Sequence, residues 1–196
     1  MESAYRQLLL CPADDNWASA SPAEFATRLQ QLGVLGQPVR EDSPDRFLIG
    51  DAFLQLFSFM GCAPSIEFQP KDNRDSDIDW HGFVFIQLSP ILTQARWLAD
   101  RDNAKPACPH CQRRTRDWIQ FYHAGDASLR CPHCQHSESV CRWRWFDAGA
   151  CARQFVSIVN VYPKESLPTD TLLSQLQQDT DVRWQYFYLN APLIKD

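Results

Sequence analysis

The chain switches several times between the two-residue period of a strand and the wider period of a helix. Tyr5 to Cys11 carries the unbroken apolar run Leu8 to Cys11 and reads as a strand closed by Pro12 and a polar loop. Ser21, Pro22 and Glu24 then stand as N-cap, first helical residue and third residue after the cap, a capping box. Phe25, Leu29 and Leu32 follow at helical spacing and Gly33 ends the run. Phe47 to Gly61 is almost wholly apolar and aromatic, and Gly50-Asp51 could cap a short helix through Phe57. Ile66 to Phe68 and Phe83 to Leu88 read as further strands.

The same order returns near the end of the chain. Arg153 to Tyr162 predicts a strand closed by Pro163, Thr169 to Gln178 a helix, and Val182 to Leu189 a last strand. Leu29-Gln30-Gln31 and Leu176-Gln177-Gln178 occupy matching places in the two helices. Two strand-helix-strand units on one sheet imply an α+β fold, a ferredoxin-like or related two-layer sandwich. The expected division is an α+β body of residues 1–100 together with 150–196, and an inserted unit of residues 101–149 projecting through the Pro90 to Pro106 connector.

Composition narrows the class. Of 196 residues, 44% are hydrophobic and 22% charged, enough to bury a core and incompatible with wholesale disorder. The longest apolar stretches fall well short of the roughly 18 to 20 residues of a membrane span. Met1 to Asp15 lacks the tripartite pattern of an export signal, so a soluble, cytoplasmic protein is expected.

Half of the eight cysteines sit in two identical tetrapeptides, Cys108-Pro109-His110-Cys111 and Cys131-Pro132-His133-Cys134, with 19 residues between them. That spacing suits a four-cysteine zinc site, because each C-x2-C turn can aim two sulfurs at a point about 2.3 Å from each. Proline at the second position pre-sets the turn. Between the tetrapeptides, Asp117 to Tyr122 reads as a strand, His123 to Asp126 as a turn, and Ser128 to Arg130 as the return.

From about Arg101 to Phe146 the chain therefore resembles the zinc ribbon, in which two CPxC knuckles clamp one structural zinc. The resemblance implies one Zn2+ held by Cys108, Cys111, Cys131 and Cys134. Zinc-ribbon knuckles often carry glycine after the second cysteine, whereas Gln112 and Gln135 stand there in this chain.

A single CPHC also resembles the motif of thioredoxin-like disulfide oxidoreductases, which need it at the start of an amphipathic helix. Neither Gln112 to Trp118 nor Gln135 to Val140 has an apolar helical face, and the duplication suits a shared metal better. Cys11, Cys62, Cys141 and Cys151 form no further knuckle and are expected as small core fillers. His110, His133 and His136 are expected at the surface.

The formal charge of −5 argues against a generic nucleic-acid binder. Yet residues 101–153 hold nine Lys or Arg against five Asp or Glu, a basic lobe on an acidic body. Arg142-Trp143-Arg144-Trp145 alternates, placing arginines on one face and tryptophans on the other. Arg113, Arg114, Arg116, Arg142, Arg144, Trp143 and Trp145 are thus candidate contacts for a protein or nucleic-acid partner. The other reading, and the favoured expectation for so small a module, is that the tryptophans pack the ribbon against its host and the arginines keep the outer face soluble.

Asp75, Asp77 and Asp79 alternate like a calcium loop, but Trp80 and Ile86 occupy the positions that need Gly and Glu. His81 has no nucleophile signature beside it, and no glycine-rich phosphate loop exists. The functional expectation is a non-enzymatic adaptor or assembly protein acting through macromolecular contacts. Nucleic-acid binding through the ribbon is the alternative, and thiol-disulfide exchange at CPHC a further one.

Overall fold

The computed structural model describes residues 4–59, 67–70, 78–163 and 165–195. Strand candidate Ile66 to Phe68, Cys62 and most of the acidic stretch around Asp75 lie wholly or partly outside the described residues. The strands in chain order are β1 (Tyr5–Pro12), β2 (Leu35–Arg40), β3 (Ser43–Ile49), β4 (Phe57–Phe59), β5 (Phe85–Leu88) and β6 (Arg96–Ala99). After them come β7 (Tyr122–His123), β8 (Ser128–Arg130), β9 (Ser137–Ser139), β10 (Gly149–Ala152), β11 (Val156–Val159), β12 (Ser166–Pro168) and β13 (Trp184–Ala191). The α-helices are α1 (Pro22–Gln31), α2 (Phe53–Leu56) and α3 (Asp170–Thr180). The fold is mixed α+β, as the two-period pattern implies. Among the described residues no helix is long and apolar enough to cross a membrane.

Six strands form the main sheet in the order β13-β1-β11-β5-β3-β2, every neighbouring pair antiparallel. Central β1 explains its own sequence. Leu8 and Leu10 enter the cluster that takes Phe25 and Leu29 from α1 and Leu172 and Leu176 from α3. Leu9 and Cys11 point the other way, onto Phe155, Phe187 and Ile194. A strand covered on both faces needs no polar alternation, which is why Leu8 to Cys11 is a continuous apolar run.

The two longer helices, α1 and α3, each start at a side-chain cap; that of α1 is the Ser21 cap read from the sequence, while Thr169 lies just before the helix rather than inside it. The Ser21 hydroxyl accepts the Glu24 N–H at 3.3 Å, and the Thr169 hydroxyl accepts the Leu172 N–H at 3.3 Å. Helix α1 is then clamped by rings, with Phe25 stacked on Trp184 at 5.8 Å and Trp17 edge-on to the same indole at 5.8 Å. Gly33 ends α1 at φ +73, and an added Cβ there would lie 2.6 Å from the Ala52 Cβ. The short helix foreseen from Gly50-Asp51 is α2, after which Phe57 turns into β4 and pairs with β12.

The β2–β3 hairpin extends the sheet beyond β5 and carries no clear pattern of its own. Pro38 and Pro44, with Arg40, Glu41, Asp42, Asp45 and Arg46, hide it. Proline is acceptable at Pro38 because β2 is the sheet's edge strand, and the register shifts on either side of it.

The Pro90 to Pro106 connector is partly ordered as β6, which pairs with β10 from Gly149↔Ala99 to Ala152↔Arg96. The chain enters the tetrapeptide segment along β6 and leaves it along β10. Between them lie the two tetrapeptides and the small sheet β7-β8-β9. Asp117 to Tyr122 departs from the expected strand: Trp118–Phe121 is a 3-10 turn and only Tyr122–His123 is extended. The turn drives the Trp118 ring inward to 1% exposure, against Trp97 and Trp145.

Cys141 and Cys151 are not separate core fillers, because they form a disulfide that ties the end of the small lobe to β10. They were not recognisable as a pair because nothing in their spacing of ten marks a bridge. Such a bond belongs to oxidising surroundings, which pulls against the cytoplasmic expectation. Cys11 does behave as filler: burial pushes its thiol up to about 12, with a hydrogen bond to Gln185 pulling weakly the other way. By chain entropy a loop of this length should stabilise the fold by about 2.7 kcal/mol. Cys141→Ser or full reduction is therefore expected to lower unfolding stability by about 2 to 3 kcal/mol in urea titrations read by tryptophan fluorescence.

Candidate metal centre

The two tetrapeptides are near copies in space as well as in sequence. The Gln112 N–H donates to the Cys108 carbonyl at 2.9 Å, and the Gln135 N–H to the Cys131 carbonyl at 2.9 Å. The Cys108 N–H donates to Arg113 O at 3.0 Å, and the Cys131 N–H to His136 O at 2.7 Å. Each turn thus closes on itself and aims its two sulfurs outward together.

Gln112 and Gln135 occupy positive φ, at 61 and 64. The position that often holds glycine does require the left-handed conformation, which costs a residue with a Cβ about 1 to 2 kcal/mol. Each glutamine offsets part of that cost in the same way. Gln112 Nε2 donates to Pro109 O at 2.9 Å, and Gln135 Nε2 to Pro132 O at 3.2 Å, folding the side chain back over its own knuckle.

The four sulfurs converge, all lying within 4.8 Å of one another. Cys108 Sγ stands 3.7 Å from Cys134 Sγ, and Cys111 Sγ 3.7 Å from Cys131 Sγ. Tetrahedral ligands about 2.3 Å from one ion are separated by about 3.8 Å, close to these two contacts, so the cluster could hold a metal ion. Both of these contacts join one knuckle to the other. Neither motif opens an α-helix, the context that thiol-disulfide exchange would need.

Local electrostatics separate the thiols. Burial pushes Cys108 up to about 12, against the pull of the Cys111 and His110 N–H groups. At Cys131 burial is again the largest single effect and raises, but the N–H groups of Cys134 and His133 with the Cys134 and Cys111 side chains outweigh it, to about 7. At Cys134 the backbone N–H of His136 lowers, yet burial and the Cys131 and Cys111 sulfurs leave it raised. Four sulfurs this close cannot all ionise without a cation among them.

The surrounding residues divide by side. Trp143 and Trp145 are 3% and 4% exposed, packed with Trp118, Leu129, Val140 and the buried knuckle cysteines. Trp97 joins them from β6, 4.9 Å from Trp145 and 5.2 Å from Tyr122. Sequence reasoning did not single out Trp97, whose neighbours in the chain give no hint of its target. The indoles are therefore internal, and the exterior presents the arginines.

Arg113, Arg114, Arg116, Arg142 and Arg144 are all exposed. Arg144 is fixed beside the first knuckle by two backbone bonds to Ala107, which bridges to Arg114 as well. The Arg114 and Arg144 guanidinium carbons both lie over the Phe146 ring, at 4.0 and 4.6 Å. His110 stacks on His136 at 5.2 Å, and His136 Nε2 faces Glu138 at 3.7 Å. His110 and His133 are exposed and His136 half-buried, and none of the three belongs to the sulfur cluster. No protein-family model, curated protein or solved structure matches the chain.

Thiolate ligands make the sign of the pH dependence definite. Metal must displace the protons that Cys108 and Cys134 keep at neutral pH, so affinity rises with pH and falls with acid. With at least these two protons displaced, affinity is expected to gain well over tenfold per pH unit between about pH 6.5 and about pH 7.5, by competition with a chromophoric chelator. A flat profile would contradict thiolate ligation. The knuckle geometry makes a second prediction. Gln112→Val, a β-branched residue at positive φ without the Pro109 bond, should lower the unfolding midpoint of the metal-bound lobe, whereas Gln112→Gly should leave it nearly unchanged.

Proposed function

We propose that the protein is a zinc-stapled, non-enzymatic adaptor whose inserted ribbon is a contact lobe. The observation that carries this reading is the closed set of four cysteine sulfurs. Softness of the donors favours zinc, and four protein ligands fill a tetrahedral ion, so no position remains for water or substrate. Bound there, the ion would supply folding free energy, on the order of 10 kcal/mol in small zinc peptides. The four cysteines hold it, and the tryptophan cluster around Trp145 packs beneath them.

In this reading residues 101–149 are the inserted unit, with β6 and β10 as its stalk. The host is a ferredoxin-like sandwich extended by one hairpin: β13-β1-β11-β5 is its four-strand order, α1 and α3 are its crossovers, and the ribbon occupies the β5-to-β11 connection. An acidic body and a basic lobe on one chain give two surfaces of opposite character, which suits a molecule that joins partners.

A second reading, nucleic-acid contact by the ribbon, draws on one observation. Among the described residues, Arg113, Arg114, Arg116, Arg142 and Arg144 form no ion pair. The experiment is affinity capture from the native host at gentle salt, comparing the intact protein with Cys131→Ser/Cys134→Ser and quantifying zinc in both. The expected result is about one zinc per intact chain, little in the variant, and partners lost with it. Partners retained by the zinc-free variant would transfer the contact role to the acidic body and overturn the assignment to the ribbon.

A further inference from the structure

A cleft of about 640 Å³ opens along the seam between the two parts of the molecule. The loop closed by the Cys141–Cys151 disulfide supplies one wall, with Arg142, Arg144 and Phe146; Asp15 and Arg183 of the body supply the other. Sequence reasoning picked out Arg142 and Arg144 but not Arg183, which lies about forty positions further on, just before β13.

The lining is a set of donors. Among the described residues, none of the three guanidiniums is in an ion pair. Trp143 also lines the cleft, and its Nε1 is buried with no hydrogen-bond partner although the residue is 3% exposed. The one acid of the lining, Asp15, already accepts from Asn16 Nδ2 at 3.1 Å.

The wall is also held in place before any ligand arrives. Phe146 takes φ 57, a costly conformation for an aromatic residue, and this turn puts its ring under both Arg144 and Arg114. Two guanidiniums gathered on one ring repel each other unless an anion lies between or beside them. The disulfide closes the same loop. Strained backbone, covalent closure and stacked cations together reduce what remains to be ordered on binding.

We propose that this seam cleft binds the phosphodiester backbone of a nucleic-acid strand, with Arg142, Arg144 and Arg183 on phosphate oxygens and Arg114 continuing the track outside. Backbone binding needs charge and hydrogen-bond donors but no base pocket, which matches a mostly polar wall whose indoles are buried. A peptide partner would need apolar anchor sites instead, and Trp143 and Trp145 are spent inside the lobe. The proposal rests on the ribbon being a contact lobe and adds the body's Arg183 to it.

The test uses the full, metal-loaded, unreduced chain and a labelled single-stranded 20-mer, read by fluorescence anisotropy. The 20-mer should bind, and affinity should fall at least roughly tenfold between about 50 and about 200 mM salt. Arg144→Gln and Arg183→Gln should each weaken binding roughly tenfold and flatten the salt dependence by about one power, with zinc content and unfolding midpoint unchanged. Arg40→Gln, in the distant β2–β3 hairpin, should leave it intact. Inorganic phosphate at about 10 mM should compete poorly, because a single anion lacks the multivalence of a strand. No binding at about 50 mM salt would overturn the proposal, as would equal binding of polyglutamate or equal competition by free phosphate. Loss on Arg144→Gln with none on Arg183→Gln would overturn the cleft while leaving the ribbon as contact lobe. Absence of zinc from the same sample would instead strike at the ribbon reading.

Discussion

Four sulfurs drawn to one point are the constraint on which the small lobe depends. Its strands are two or three residues long, far too short to stand as a sheet in water, and its helical pieces are single 3-10 turns. What secondary structure lacks, cross-links would supply: the Cys141–Cys151 bond at one end and, at the other, the metal proposed for the sulfur cluster. Between them Trp97, Trp118, Tyr122 and Trp145 make a compact aromatic filling. The large body needs no such device, because β1 is covered on both faces by apolar side chains.

This division of labour explains where the polar chemistry sits. With the tryptophans committed inward, alternation along Arg142 to Trp145 sends the guanidiniums outward, and the backbone bonds between Ala107 and Arg144 hold one of them next to the first knuckle. The positive-φ residues follow the same logic. Gln112 and Gln135 turn the knuckles, and Phe146 turns the loop that returns to β10, so each strained residue stands where the chain must reverse to bring sulfur or arginine into position.

Much of this was legible along the chain, for reasons particular to each element. Ser21, Pro22 and Glu24 announce α1 because a capping hydroxyl, a proline and an acid suit the unpaired N–H groups of a first turn. The paired tetrapeptides announce the cluster because four ligands to one ion require fixed local spacing. The β2–β3 hairpin stayed hidden because an edge position tolerates Pro38 and charges that a central strand would forbid. Asp117 to Tyr122 misled because its aromatic residues are selected to plug a core rather than to pair as a strand. The disulfide and the seam cleft were out of reach, since each is made by residues that only the folded chain brings together.

The most direct test is X-ray absorption at the zinc edge on protein purified without added metal or chelator, with the metal content of the same sample measured alongside. The expected result is one zinc per chain in a shell of four sulfurs at about 2.3 Å. A metal-free sample whose lobe is nonetheless folded, or a shell containing nitrogen or oxygen, would contradict it.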